Sequence, residues 1–92
     1  MNVDKLIPVV HLNGTSGDEL ARQWLDFARG LEDAMKATPE CNGRDYYLKG
    51  ERAGIEAREE LAKLRGVLAG AVLAAGKVYE AIEDINEQRR NR

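Results

Sequence analysis

The stretch LAKLRGVLAGAVLAAGKVYEAIEDI, residues 61–85, decides the fold. Its apolar residues recur in steps of three and four, which is the spacing of one helix face. The two core positions of this repeat are occupied by Leu61, Leu68, Ala75 and Ile82, and by Leu64, Ala71, Val78 and Ile85. The pattern predicts a long helix over residues 51–87, followed by a frayed tail at 88–92.

The centre of this helix, residues 66–76, carries no charge on any face and contains three glycines. A glycine inside a helix costs about 1 kcal/mol relative to alanine, so three within one short stretch need a reason. Small side chains allow another helix to approach closely. The alternative is a helix that bends or breaks near Gly66 or Gly70.

A shorter helix is predicted at residues 16–37. Ser16 and Glu19 have the spacing of a capping box, in which the hydroxyl accepts one backbone amide and the carboxylate returns to another. The apolar stripe that follows consists of Leu20, Trp24, Phe27, Ala28, Leu31 and Met35. Pro39 stops the helix.

Two helices joined by a loop at 38–50 predict an all-α fold, a two-helix antiparallel hairpin within a single domain, residues 1–92. At 1.5 Å per residue the helices are roughly 30 and 55 Å long, so the first cannot cover the second. We therefore expect packing as a helical-bundle oligomer, unless the second helix breaks. Residues 1–14, which include Pro8, are expected to form an extended arm that packs on the helices or on a second subunit.

Composition excludes several classes of function. The chain has 14 Lys and Arg against 16 Asp and Glu, a net charge of −2, which argues against general nucleic-acid binding. Cys41 and His11 are the only residues of their types, so we expect no internal disulfide, metal site or cofactor. Apolar runs are too short for a signal peptide or a membrane span, which predicts a cytoplasmic protein.

Glu59 and Lys63 are spaced for an ion pair along the second helix.

One polar segment, residues 11–17, leads into the first helix. Its candidate ligand-binding residues are His11, Asn13, Thr15 and Ser16. Hydroxyl, amide and imidazole groups at a helix amino terminus suit an anion or a phosphate. The alternative is purely structural, with Asn13-Gly14 forming a turn and Thr15 or Ser16 capping the helix.

A second polar segment lies in the loop at 38–50. Its candidate ligand-binding residues are Asn42, Arg44, Asp45, Tyr46, Tyr47 and Lys49. Tyrosine can stack on a base, arginine can hold a phosphate with two hydrogen bonds, and aspartate can accept from a base or ribose. Alternatively, one tyrosine closes the open end of the hairpin and Arg44 pairs with Asp45.

The two segments should lie at opposite ends of a single hairpin. They form one site only if an antiparallel neighbour brings its loop alongside, or if the connection folds back. His11, Ser16 and Asp18 could be drawn as a catalytic triad, but such triads converge from separate elements, so we expect no enzyme.

The motifs HLNGTS, residues 11–16, and NGRDYY, residues 42–47, resemble a group of small helical proteins of tailed bacteriophages, over about residues 5–85. This resemblance implies a phage origin and action in the cytoplasm of the infected bacterial host, but no particular activity. In size and helical architecture the chain is also similar to phage sponge proteins, anti-CBASS and anti-Thoeris, which bind cyclic nucleotide immune signals between subunits.

These observations predict an oligomeric phage protein that sequesters a small anionic ligand, such as a nucleotide immune signal. The first alternative is a protein-interaction module that inhibits or adapts a host protein. The second is a structural phage component without a ligand.

Overall fold

The computed structural model describes residues 1–91, and the regular structure in this range is helical, without a β-strand. Helix α1 spans Gly17–Lys36 and helix α2 spans Ala53–Arg90. Three short 3-10 turns complete the regular structure, at Val3–Leu6, Gly43–Asp45 and Tyr47–Lys49. The predicted all-α class is confirmed. Arg92, the last residue of the predicted tail, lies outside the described residues.

Ser16 caps the amino terminus of helix α1, and its side-chain hydroxyl accepts a hydrogen bond from the Glu19 amide at 3.2 Å. The second half of the predicted capping box is absent, because the Glu19 carboxylate pairs with Arg22 and accepts from Gln23 Nε2 at 3.4 Å. The helix ends at Lys36, three residues before Pro39.

Helix α2 is continuous over 38 residues and about 57 Å long. The alternative of a break near Gly66 or Gly70 is therefore wrong: glycine weakens a helix but removes none of its backbone hydrogen bonds. The predicted end at residue 87 is also wrong, since the helix continues to Arg90. The ion pair predicted between Lys63 and Glu59 is not the one observed. Lys63 Nζ lies 2.8 Å from Glu60 Oε1 instead.

The helices pack antiparallel, with the start of α1 against the end of α2. The core lies at this end of the molecule, where Ala21 packs on Val78 and Ile82, both fully buried. The side chains surrounding this cluster are Val3, Leu20, Trp24 and Tyr79. The hairpin is thus consolidated by the carboxyl-terminal half of α2, the only half that α1 is long enough to reach.

The connection lies along the first turns of α2. A Cβ placed on Gly54 would be 3.1 Å from the Gly43 Cα, so the two backbones touch, and Arg58 Nη1 donates to the Cys41 carbonyl at 3.4 Å. The long connection therefore covers one side of the part of α2 that α1 leaves open. The result is a rod of 64 × 21 × 20 Å.

The amino-terminal arm packs on α2, which is one of the two expected positions. It is not wholly extended, since Val3–Leu6 forms a 3-10 turn that the Asn2 side chain caps by accepting the Asp4 amide at 3.1 Å. Arg89 Nη1 donates to the Val10 carbonyl at 2.8 Å and fixes the end of the arm. None of the helices within residues 1–91 is both long and apolar enough to span a bilayer.

Candidate functional site

An open cleft lies between the loop that precedes α1 and the last turns of α2. Apolar atoms and polar groups of both signs line it. The lining residues are Val10, His11, Leu12, Gly14, Ser16, Gly17, Asp18, Asn86, Arg89 and Arg90. We call it the amino-terminal cleft.

The loop side of the cleft is shaped by a tight turn at residues 11–14. The Gly14 amide donates to the His11 carbonyl at 3.2 Å. The imidazole lies against this glycine so closely that a Cβ on Gly14 would be 2.8 Å from Nε2. The absence of a side chain at Gly14 therefore lets the His11 ring fold over the turn and face the cleft.

The first turn of α1 contributes free backbone donors. The Ser16 hydroxyl accepts a hydrogen bond from the Glu19 amide at 3.2 Å, and the Ser16 carbonyl accepts one from the Leu20 amide at 3.0 Å. The amides of Gly17 and Asp18 have no protein acceptor among the described residues, as is usual at a helix start. Together with the helix dipole they favour a negative group in the cleft.

The opposite wall carries two arginines on the last turn of α2. Arg89 has only part of its guanidinium available for a ligand, because its Nη1 donates a hydrogen bond to the Val10 carbonyl. Arg90 Nη1 is 3.7 Å from Asp18 Oδ1, and both side chains are largely exposed. An exposed pair at this distance is weak, so a stronger anion can replace the Asp18 carboxylate as the partner of Arg90.

Asn86 forms the floor of the cleft and is only 6% exposed. Its Nδ2 donates to Glu83 Oε1 at 3.5 Å, and a Cβ on Gly17 would lie 1.9 Å from its Oδ1. The start of α1 and the end of α2 therefore approach to contact at this point, where a larger residue than glycine has no room.

Sequence reasoning found one wall of this cleft and missed the other. His11 and Ser16 line it, whereas Asn13 and Thr15 are exposed beside it. Asn86 and the two arginines were not among the predicted site residues. An available signal was that Asn86 is a polar residue four positions after Ile82 on the apolar stripe.

The second polar segment forms a separate feature around Tyr46. This half-buried side chain donates from its hydroxyl to Cys41 Sγ at 3.5 Å, and this hydrogen bond raises the pKa of Tyr46 above its ordinary value. Lys49 Nζ lies 6.0 Å from the centre of the ring, within cation–π range. Tyr46 is thus held within the connection by Cys41 and Lys49.

The other members of the segment have local or exposed positions. The Asn42 side chain accepts the Arg44 amide at 3.2 Å and caps a 3-10 turn. Arg44, Asp45 and Tyr47 are exposed, and the alternative pairing of Arg44 with Asp45 is not among the ion pairs of the described residues. The small pocket beside Tyr46 and Lys49 also includes Glu56 and Glu60, whose charges oppose an anion.

The two polar segments lie far apart. Gly43 contacts Gly54, Gly17 contacts Asn86, and these two points on α2 are about 48 Å apart along the helix. The connection does not fold back, so one chain does not bring the two segments into a single site. Within residues 1–91, no three His, Cys, Asp or Glu side chains are grouped closely enough to hold a metal ion.

The fold and site define an all-α hairpin protein with a polar cleft where its first helix begins. The chain matches no protein-family model, and no match is found among curated proteins or solved structures.

Proposed function

We propose that this chain binds and sequesters a small anionic ligand, a nucleotide or another phosphate-bearing signal, in the amino-terminal cleft. One observation carries the proposal: the cleft places the open amino terminus of α1 opposite Arg89 and Arg90. Its residues all come from one chain, so the site does not require the second copy that the sequence analysis expects.

The donors in the cleft suit the several oxygens of a phosphate. The Gly17 and Asp18 amides can donate from one side and the Arg90 guanidinium from the other, and the His11 ring adds a further polar edge. The carboxylate of Asp18 must turn toward solvent when the anion enters. Its side chain is 87% exposed, which allows this movement.

The arrangement favours binding over turnover. The Ser16 hydroxyl is engaged with the Glu19 amide, and no hydrogen bond within residues 1–91 joins His11 to Ser16 or to Asp18. A nucleophile activated by a base requires such a contact. The two motifs' resemblance to phage proteins supports a setting in the infected bacterial cytoplasm. The separate likeness in size and helical architecture to phage sponge proteins supports an immune signal as the ligand.

A thermal-shift panel tests the proposal, using cyclic dinucleotides, cyclic trinucleotides, ADP-ribose derivatives and inorganic phosphate. We expect a raised Tm with at least one phosphate-bearing compound, reduced in Arg90→Ala. Arg29→Ala is the matched control, because it removes the same charge from an exposed position on α1. Recovery of the intact compound after heat release would support sequestration. Absence of any shift across the panel, or an equal loss in both variants, would refute the cleft as the site.

A second candidate function is contact with a host protein through the connection, at the other end of the rod. Tyr47 and Leu48 are 67% and 86% exposed there, which is unusual for neighbouring large apolar groups. Co-purification of one host protein that is lost in a Tyr47→Ala and Leu48→Ala double variant would support this candidate. Persistence of the complex in that variant would exclude the connection as the contact.

A further inference from the structure

The face of α2 that points away from α1 is largely exposed, and the amino-terminal arm borders it, because Met1 and Val3 line a groove together with Gly66, Gly70, Leu73 and Lys77. It is built from exposed positions three and four apart, and its central part consists of Ala62, Gly66, Gly70 and Leu73. A Cβ added at Gly66 or Gly70 would meet no atom within 4 Å. Leu73 is 67% exposed. We call this surface the outer face.

Charged residues flank this apolar centre in a regular order. Arg52, the capping residue just before α2, and Glu59 precede it, and Lys77 and Asp84 follow it; all four are exposed and share the helical spacing of this face. The midpoint between Gly66 and Gly70 is also the midpoint between Glu59 and Lys77 and between Arg52 and Asp84. In both charged pairs, Glu59 with Lys77 and Arg52 with Asp84, the two residues have opposite charge.

From this order we propose that a second copy of the chain packs antiparallel on the outer face, about a twofold axis at position 68 of α2. Gly66 then meets Gly70 of the second copy, Glu59 meets Lys77, and Arg52 meets Asp84. Each contact occurs twice by symmetry, giving four ion pairs around a close helix approach. A parallel pair would instead place each charge against its own kind.

The remaining residues of the outer face are compatible with this arrangement. Ile55 lies level with Ala81 of the second copy, and the aliphatic stem of the adjacent Glu80 can cover it. Glu59 is free to pair, because Lys63 is already held by Glu60 at 2.8 Å.

The contact is of modest size. It runs from residue 52 to residue 84, about 48 Å, and a helix face about 10 Å wide gives roughly 1,000 Å² of buried surface for the two copies together. That area is at the lower limit for a specific interface, so the dimer should dissociate on dilution. The proposal does not rest on the proposed ligand, because none of the outer-face residues named above lines the amino-terminal cleft.

Charge reversal on the outer face tests the proposal by sedimentation equilibrium of the full chain over a range of concentrations. Lys77→Glu and Glu59→Lys should each weaken the dimer about tenfold, since each changes two attractive contacts into two repulsive ones. The double variant should restore it. The two positions are about 27 Å apart within one chain, so only contact between copies can produce this rescue.

A glycine variant separates assembly from folding. Gly70→Gln removes a helical glycine that has free space around it, so the monomer should gain stability while the dimer is lost. A wild-type chain that stays monomeric at several hundred micromolar would overturn the proposal. A dimer that the charge-swapped double variant fails to restore, or that Gly70→Gln leaves intact, would overturn it as well.

Discussion

Replacing Gly17 by alanine should destabilise the protein, although alanine is the better helix former. The new Cβ would lie 1.9 Å from Asn86 Oδ1 and 2.8 Å from its Cγ. Either the Asn86 side chain turns into the cleft and loses its hydrogen bond to Glu83, or the two helices separate by about 1.5 Å to restore ordinary contact. Overpacking of this kind costs about 1–3 kcal/mol, which lowers Tm by roughly 4–24 °C in a domain of this size.

Gly30→Ala is the matched control, because a Cβ at this position in the same helix meets nothing within 4 Å. It should stabilise the protein by up to about 1 kcal/mol. Thermal unfolding followed by circular dichroism at 222 nm distinguishes the opposite signs. Asn86→Ala combined with Gly17→Ala should be less destabilising than the sum of the two single changes. If Gly17→Ala is as stable as wild type, the close helix approach does not exist as described.

Ile82→Ala should lower the free energy of unfolding by about 2–5 kcal/mol, since the side chain is fully buried. Val67→Ala, at an exposed position, should change it by less than about 0.5 kcal/mol. Urea unfolding of the two variants measures both values. Gly50→Ala should cost about 1–3 kcal/mol in the same assay, because φ is +132° there, and near-zero cost would contradict this backbone conformation. Tyr46 should lose its proton above its ordinary pKa of 10.0, because its hydrogen bond to Cys41 favours the protonated form. The stabilisation is therefore present below pH 10 and lost as the pH rises through the raised pKa; Cys41→Ala should lower that pKa, as tyrosinate absorbance would report, and an unchanged titration would argue against the contact.

Helix positions were predictable because they depend on local chemistry. The steps of three and four and the Ser16 cap predict both helices to within three residues at each end. The unbroken course of α2 was not decided by the sequence, since a glycine cost of about 1 kcal/mol is small enough for a long helix to tolerate.

The candidate site was only half predictable, because its second wall depends on tertiary packing. His11 and Ser16 belong to a recognisable helix start, but Arg89 and Arg90 resemble any cations at a helix carboxyl end. Their position opposite the start of α1 follows from the register of the hairpin. Asn86 illustrates the same limit: its burial depends on the bare backbone of Gly17, almost seventy residues earlier.

The pairing of α1 with the far end of α2 also determines when the protein can fold during synthesis. Ala21 needs Val78 and Ile82 to form the core. At 5–20 residues per second the ribosome takes roughly 2–9 s to proceed from residue 36 to residue 82. Until Val78 and Ile82 have been made, Leu20 and Trp24 lack the core cluster that they surround, so this segment remains open to chaperones and proteases.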